Sequence, residues 1–316
     1  MIFAGIDEAG LGPMLGPLVT ASTAFLVPDH WQGKADTLWL ELASAVCGKP
    51  SKKDARLLVA DSKVVHAAVG LQALEMGVAV FLACADNCDP EQYLPWLDLE
   101  SSPRECPWHE NSGRPFPVMC DGDDIGERQK ALSSEMRRVG VSIRLLQCKA
   151  LHPSAINAAI DAGQNKNQIL LGETGSHLVR LVNEFGKYGL EVWIDKQGGR
   201  NDYLPYLSHL FPGVWIDTLE SGKDVSEYRL RLDEGAATLH FCAKADRFSF
   251  MTALASMAAK YARERLMQEL NDWFCARIDN LQPTAGYPQD AKRWLKDAAE
   301  FLSNASFPMQ IVVRER

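Results

Sequence analysis

The sequence predicts an α/β protein with one mixed central β-sheet flanked by helices and a helical C-terminal part. Three observations carry this reading. Short apolar runs rich in Val, Ile, Phe and Thr recur along the chain. Segments with helical spacing stand between them, and three of the runs lead to an aspartate.

Taken in order, strand material lies at 2–6 and 18–27. Asp61-Ser62 can cap a helix that starts near Lys63 and carries Val64, Val65, Ala68 and Leu71. Between 86 and 126 the periodicity lapses into a stretch holding Pro90, Pro95, Pro103, Pro107, Pro115 and Pro117, which reads as an inserted surface excursion. Patterning returns with a strand at 141–151, and His152-Pro153-Ser154 opens a helix through Ile156 and Ile160. Residues 168–185 have helical spacing despite Gly172 and Gly175, 190–194 form a buried-strand run, and 203–210 suit a helix. Strands are expected at 214–219 and 239–242, with an unexpectedly polar stretch, 221–235, between them. A long helix over 250–274 puts Leu254, Met257, Ala258 and Tyr261 on one face. A last strand-like piece falls at 309–313.

Composition narrows the class. The chain has 316 residues, 47% apolar and 23% charged, enough for a substantial core. It contains no long apolar run that would cross a membrane and no N-terminal secretory pattern, so a cytoplasmic location is expected. The eight cysteines lack regular spacing, which suits reduced thiols. A net charge of −8 argues against general affinity for polyanions, but a nuclease needs only a local basic stripe.

The acids carry the chemistry. Strand 2–6 stops at Asp7, 190–194 stops at Asp195, and 239–242 leads two residues on to Asp246. Ends of neighbouring strands gather at one edge of a sheet, where α/β proteins tend to build their sites. Glu8 follows Asp7 directly, and a turn at Gly10–Pro13 would let it swing to the same side. Carboxylates gathered there repel unless cations neutralise them, and Mg²⁺ or Mn²⁺ take such oxygen ligands. A single acid at a strand end is more simply a solvated terminus; it is the three sites together that favour a metal pair.

Gly5-Ile6-Asp7-Glu8-Ala9-Gly10, with Gly12-Pro13 and Gly16-Pro17, resembles the opening motif of type 2 ribonucleases H (ribonuclease HII). The resemblance continues in order through Asp61-Ser62-Lys63, His152-Pro153-Ser154-Ala155-Ile156-Asn157, Asp195, Tyr203 with Phe211-Pro212-Gly213, and Lys244-Ala245-Asp246. It ends with Ala255-Ser256-Met257-Ala258-Ala259-Lys260, Arg263 and Gly286-Tyr287-Pro288. It implies a ribonuclease H-like catalytic domain over 1–265, with an insertion at about 86–126, and a helical extension over 266–316 packed on it. It also implies that Asp7, Glu8, Asp195 and Asp246 are the catalytic acids and hold two Mg²⁺ or Mn²⁺ ions. Gly10, Leu11, Gly12, Lys63, Lys244 and Tyr287 would then contact substrate, with Lys63 on backbone phosphate and Tyr287 stacked near the ribonucleotide–deoxyribonucleotide junction. The implied activity is endonucleolytic hydrolysis of the RNA strand of an RNA–DNA hybrid, or of ribonucleotide-containing duplex DNA, leaving 5′-phosphate and 3′-hydroxyl ends. A monomer with no membrane partner and no organic cofactor is expected.

Leu11 departs from the pattern, standing where the family has arginine. Two other readings therefore stay open: a non-catalytic nucleic-acid or protein binding module on the same scaffold, and a related nuclease with another substrate. Cys84-x-x-x-Cys88, Cys106-x-x-His109 and Cys120 could form an irregular zinc site in the excursion, although thiols without metal are the simpler account. Lys196, Arg200, Arg247, Lys260 and Arg263 lie near the acids in sequence and are either phosphate contacts or solvated charges, and 196–200 could form a phosphate-binding turn. Trp96 and Trp108 hint at an interaction surface.

Overall fold

The computed structural model describes residues 1–51, 54–85, 97–98, 106–109, 116–304 and 307–315. The chain opens with strands β1 (Ile2–Ala9) and β2 (Leu18–Leu26), paired antiparallel with Asp7 opposite Ala21 and Glu8 opposite Thr20. The expectation that β1 stops at Asp7 is corrected: pairing with β2 carries it to Ala9. Helix α1 (Thr37–Glu41) and a small parallel pair, β3 (Val46–Cys47) and β4 (Leu57–Leu58), follow. The single helix expected from Lys63 is two, α2 (Ser62–Val69) and α3 (Leu71–Cys84), because Gly70 sits between them at φ +93°.

Beyond the short strand β5 (Leu97–Asp98), helix α4 (Gly122–Val139) begins inside the expected excursion. Asp121 accepts from the Asp123 amide, acids fill the first turn, and Gly140 closes the helix in the left-handed region, so its caps were readable in the sequence. Next come β6 (Ser142–Leu151), α5 (Pro153–Asp161), α6 (Lys166–Phe185), β7 (Leu190–Asp195) and α7 (Leu204–Leu210). The polar stretch 221–235 is mostly strand. After β8 (Trp215–Ser221), β9 (Val225–Arg231) buries Ser226, Tyr228 and Leu230 on alternate positions and hands over to β10 (Ala236–Cys242). Helices α8 (Phe250–Cys275), α9 (Pro288–Asp297) and α10 (Ala299–Asn304) complete the chain. The strand expected at 309–313 is instead a 3₁₀ turn over Met309–Ile311, with one bridge between Leu15 and Val313.

Among the described residues eight strands form one mixed sheet in the order β5-β6-β2-β1-β7-β10-β9-β8. Alternation along β1 sends Phe3 to the face packed by α3, α4 and α8, and Ile2, Ala4 and Ile6 to the face packed by α6 and α7. Helix α8 is buried on all sides through Ala259, as a central helix must be, and it lies directly on β1. A Cβ on Gly5 would stand 2.3 Å from the backbone of Met251 and Thr252, so glycine is what permits that approach.

A third apolar cluster joins Leu15, Cys106 and Trp108 to Leu270, Phe274, Trp294 and Ile311. Trp108 is buried there, 6.2 Å from Trp273 and 5.7 Å from Phe274 by ring centroids, so it packs internally and offers no surface. Trp96 and Cys88 lie outside the described residues. The expected division at 265/266 falls within α8, which runs unbroken to Cys275. No helix among the described residues is long and apolar enough to cross a membrane.

Candidate active site

Register assembles the acids. The parallel pairing of β1 with β7 ends at Ile6 opposite Ile194, so Asp7 and Asp195 are the next residues on two adjacent strands. Asp195 is in turn paired with Cys242 at the end of β10, and the chain turns there into a 3₁₀ helix, Ala245–Arg247, that presents Asp246. Asp7, Glu8, Asp195 and Asp246 line one cleft of about 220 Å³ together with 9–13, Ser62, Lys63, Ser256, Lys260, Arg263 and Tyr287.

Electrostatics distinguish these acids from ordinary surface carboxylates. Asp7 is only 8% exposed, and burial first, then the neighbouring Glu8, hold its carboxyl well above the usual range, against a hydrogen bond from Ser256. Burial, then Asp195, pushes Glu8 up to about 6, while hydrogen bonding with Asp7 and the Lys63 charge oppose the shift. Burial, then Asp61 and Asp195, raises Asp246 to about 6. Burial also raises Asp195, although it accepts from the Ala245 amide at 3.0 Å. Burial disfavours the charge of all four acids, and neighbouring carboxylates add to it at Asp7, Glu8 and Asp246, whereas amides and Lys63 oppose it at Asp195.

The sequence-predicted contact residues divide. Lys63 stands at the start of α2, where the Asp61 carboxylate accepts from its backbone amide at 2.9 Å, and its exposed side chain faces the cleft. Tyr287, 51% exposed, lines the same cleft. Gly10, Leu11 and Gly12 form the rim. Lys244 does not join them: it is exposed in a left-handed turn at φ 59° and lies outside the cleft lining. Lys196 is engaged elsewhere, donating to Ser226 Oγ at 3.0 Å. Arg247 is within 3.8 Å of Asp61, and Lys260 pairs with Glu264. The 196–200 turn lies beside the capped start of α6, where Asn165, Gln168, Gln197, Gly198 and Arg200 line a separate depression of about 290 Å³.

Two buried arginines fix the glycine loop. Arg263 donates to the Ala285 carbonyl at 3.1 Å, and its guanidinium lies 6.0 Å from the Tyr287 ring centre. A Cβ on Gly10, which adopts φ +92°, would stand 2.3 Å from Arg263 Nε, so only glycine fits there. Arg314 donates to the Gly16 carbonyl at 2.7 Å and to the Gly10 carbonyl at 2.5 Å. Leu11 packs against Leu18, Ile156, Ile169 and Leu170. In this chain that position therefore anchors the loop to α5 and α6. Sequence reading missed Arg314, and no local signal could have found it, because its partner Gly10 is 304 positions away. Ser256 was also missed as a site residue, although its motif had been noted.

These observations define an α/β protein with a carboxylate-lined cleft at the ends of its central strands. No family model matches the chain, and no curated protein matches it. It is similar to solved structures of ribonucleases HII and HIII. One is the PCNA:RNase HII complex from Archaeoglobus fulgidus, at 17% identity and a TM-score of 0.44 over 100% of this chain and 95% of that one. Ribonuclease H2 from Pyrococcus horikoshii OT3 is 17% identical at a TM-score of 0.42, covering 99% and 92%. Bst-RNase HIII in complex with Mn²⁺ is 15% identical at 0.44, covering 99% of this chain and 66% of that one.

Proposed function

We propose that the chain is a divalent-metal-dependent endoribonuclease that cleaves the RNA strand of RNA–DNA hybrids, or a ribonucleotide within duplex DNA, leaving 5′-phosphate and 3′-hydroxyl ends. The observation that carries this is the convergence of Asp7, Glu8, Asp195 and Asp246 on one cleft that also holds Lys63 and Tyr287. The donor set fits Mg²⁺ or Mn²⁺, since it offers carboxylate oxygens only, with no thiol or imidazole in the lining. Bound there, two such ions would supply Lewis-acid stabilisation of the charge that develops at a phosphodiester.

The protein's own groups do the rest. Burial raises the carboxyls of Asp7 and Glu8, so a cation held there would compete with protons for the same oxygens. Lys63 balances the acids and meets a backbone phosphate at the cleft mouth. The Tyr287 ring, half exposed and backed by Arg263, is a platform on which a nucleotide can stack. Gly10 and Gly12 bring backbone close to the cleft, where amides can recognise a 2′-hydroxyl without the arginine that Leu11 replaces.

The test is cleavage of labelled hybrid and of duplex carrying one ribonucleotide, in Mg²⁺ or Mn²⁺, by wild type and by Asp7→Asn and Asp195→Asn. Wild type should cut, and each variant should lose about three orders of magnitude or more, the scale of losing one preorganised charge-stabilising group. Wild type and variants equally inert on both substrates, yet still binding hybrid, would identify a binding module. Cleavage of structured DNA alone would identify a related nuclease.

A further inference from the structure

Outside the cleft, the structure gathers a second set of ligand-type side chains. Cys106, His109 and His152 place Sγ and imidazole nitrogens within 4.8 Å of one another. They come from two places: the excursion supplies Cys106-x-x-His109, and His152 sits between β6 and α5 as the N-cap of that helix. Cys106 and His152 are each 1% exposed and the His109 side chain 10%. The zinc set suggested by cysteine spacing is thereby redrawn. Cys84 contacts Ser133 Oγ between α3 and α4, and Cys120 packs on α3 with its thiol toward the Gln72 carbonyl, so neither can join Cys106.

The orientation of His109 points to a ligand. Its Nδ1 lies 2.9 Å from a carboxylate oxygen of Glu269 on α8, and that carboxylate is buried. An ionised Glu269 accepts from Nδ1–H, which leaves the lone pair on Nε2. Nε2 is buried and has no hydrogen-bond partner among the described residues. A buried acceptor nitrogen without a donor is costly as simple packing. A carboxylate behind one imidazole nitrogen, on a ring that stands beside a cysteine and a second histidine, is the arrangement that orients histidines on zinc.

We propose that Cys106, His109 and His152 bind one zinc ion, with water in the fourth position and Glu269 holding His109 in the ligating tautomer. Soft sulfur with two imidazoles favours Zn²⁺ over the hard cations suited to the four-acid cleft. Zn–S of about 2.3 Å and Zn–N of about 2.0–2.1 Å put tetrahedral ligand atoms roughly 3.3–3.6 Å apart, so small rotamer changes close the present set. Cys106 binds as thiolate and releases its proton to solvent on loading. The ion fastens the excursion to the β6–α5 junction and, through Glu269, to the far half of α8, next to the cluster of Trp108, Phe274 and Trp294. It is separate from the proposed nuclease chemistry and not dependent on it.

The experiment is elemental analysis of full-length protein, purified without chelator, for wild type, Cys106→Ser, His109→Gln and Glu269→Gln. Wild type should carry about one zinc per chain, the first two variants should lose it, and Glu269→Gln should bind about 10–100-fold more weakly. Chelation should lower the melting temperature of wild type and leave Cys106→Ser unmoved. Cobalt loading of wild type, which needs no variant to fold, should give a thiolate-to-metal charge-transfer band and intense tetrahedral visible bands. Wild type with less than a tenth of an equivalent of zinc after zinc loading would overturn the site. So would zinc retained equally by Cys106→Ser and His109→Gln, or a cobalt spectrum without the sulfur band.

Discussion

Glu75 and Asp7 are both buried carboxylates beside α8, yet their surroundings are opposite in kind. Glu75, on α3, has no exposed surface, and it accepts from the amides of Val118, Met119 and Cys120 at 2.7–3.2 Å and from the Tyr261 hydroxyl at 3.0 Å. Its charge is matched by donors, and it ties the end of the excursion to the core. Asp7, two residues before the end of β1, meets Glu8 and Asp195 instead, with Ser256 as its side-chain donor. A fold that can surround one acid with donors and leaves another among acids has built the second place for something it does not itself supply. That contrast is why we read the cleft as a cation site and Glu75 as structure.

The contrast can be broken by mutation. Glu75→Ala strands three backbone amides and a tyrosine hydroxyl, and should cost about 3–5 kcal/mol in urea unfolding. Asp7→Asn should act in the other direction. In metal-free protein near pH 8 it should raise stability by about 1–2 kcal/mol, because an amide has no charge to repel. The gain should shrink near pH 4, where the wild-type carboxyl is already protonated. If Asp7→Asn destabilised the protein as Glu75→Ala does, the two acids would be alike and the distinction would fail.

A pH series sharpens the same point. The native pKa of Glu8, about 6, exceeds its unfolded value of about 4.5, so the folded chain holds the extra proton between those values. Metal-free stability should therefore fall as pH rises from about 4.5 to 6, by about 2 kcal/mol from Glu8 alone. Saturating Mg²⁺ should flatten that slope, since the ion favours the ionised form. The smallest effect belongs to the rim: Leu11→Arg should cost under about 1 kcal/mol, because Leu11 is only partly buried on the α5–α6 patch.

Much of this was legible in the sequence, for local reasons. The central strands β1 and β7 are mainly apolar runs buried on both faces, and β10 buries alternate positions, so all three announce themselves. Asp7, Asp195 and Asp246 could be picked because an apolar run leads to each of them. The strand β9 was missed because its outward positions, Glu227, Arg229 and Arg231, dominate its composition, although Tyr228 and Leu230 keep a period of two. Helix α4 was hidden by the proline-rich stretch before it. Arg314 and the pairing of His109 with His152 depend on contacts between distant parts of the chain, and a single sequence does not encode those pairings locally.

The most direct measurement is a calorimetric titration of Mn²⁺ into zinc-replete, Mn²⁺-free wild type, Asp7→Asn and Glu75→Gln at pH 7.5. We expect wild type to bind and Asp7→Asn to lose that binding. Glu75→Gln, in whatever fraction is folded, should bind as wild type does. Absence of binding to wild type, or equal binding by Asp7→Asn, would contradict the reading of the four-acid cleft as a divalent-cation site.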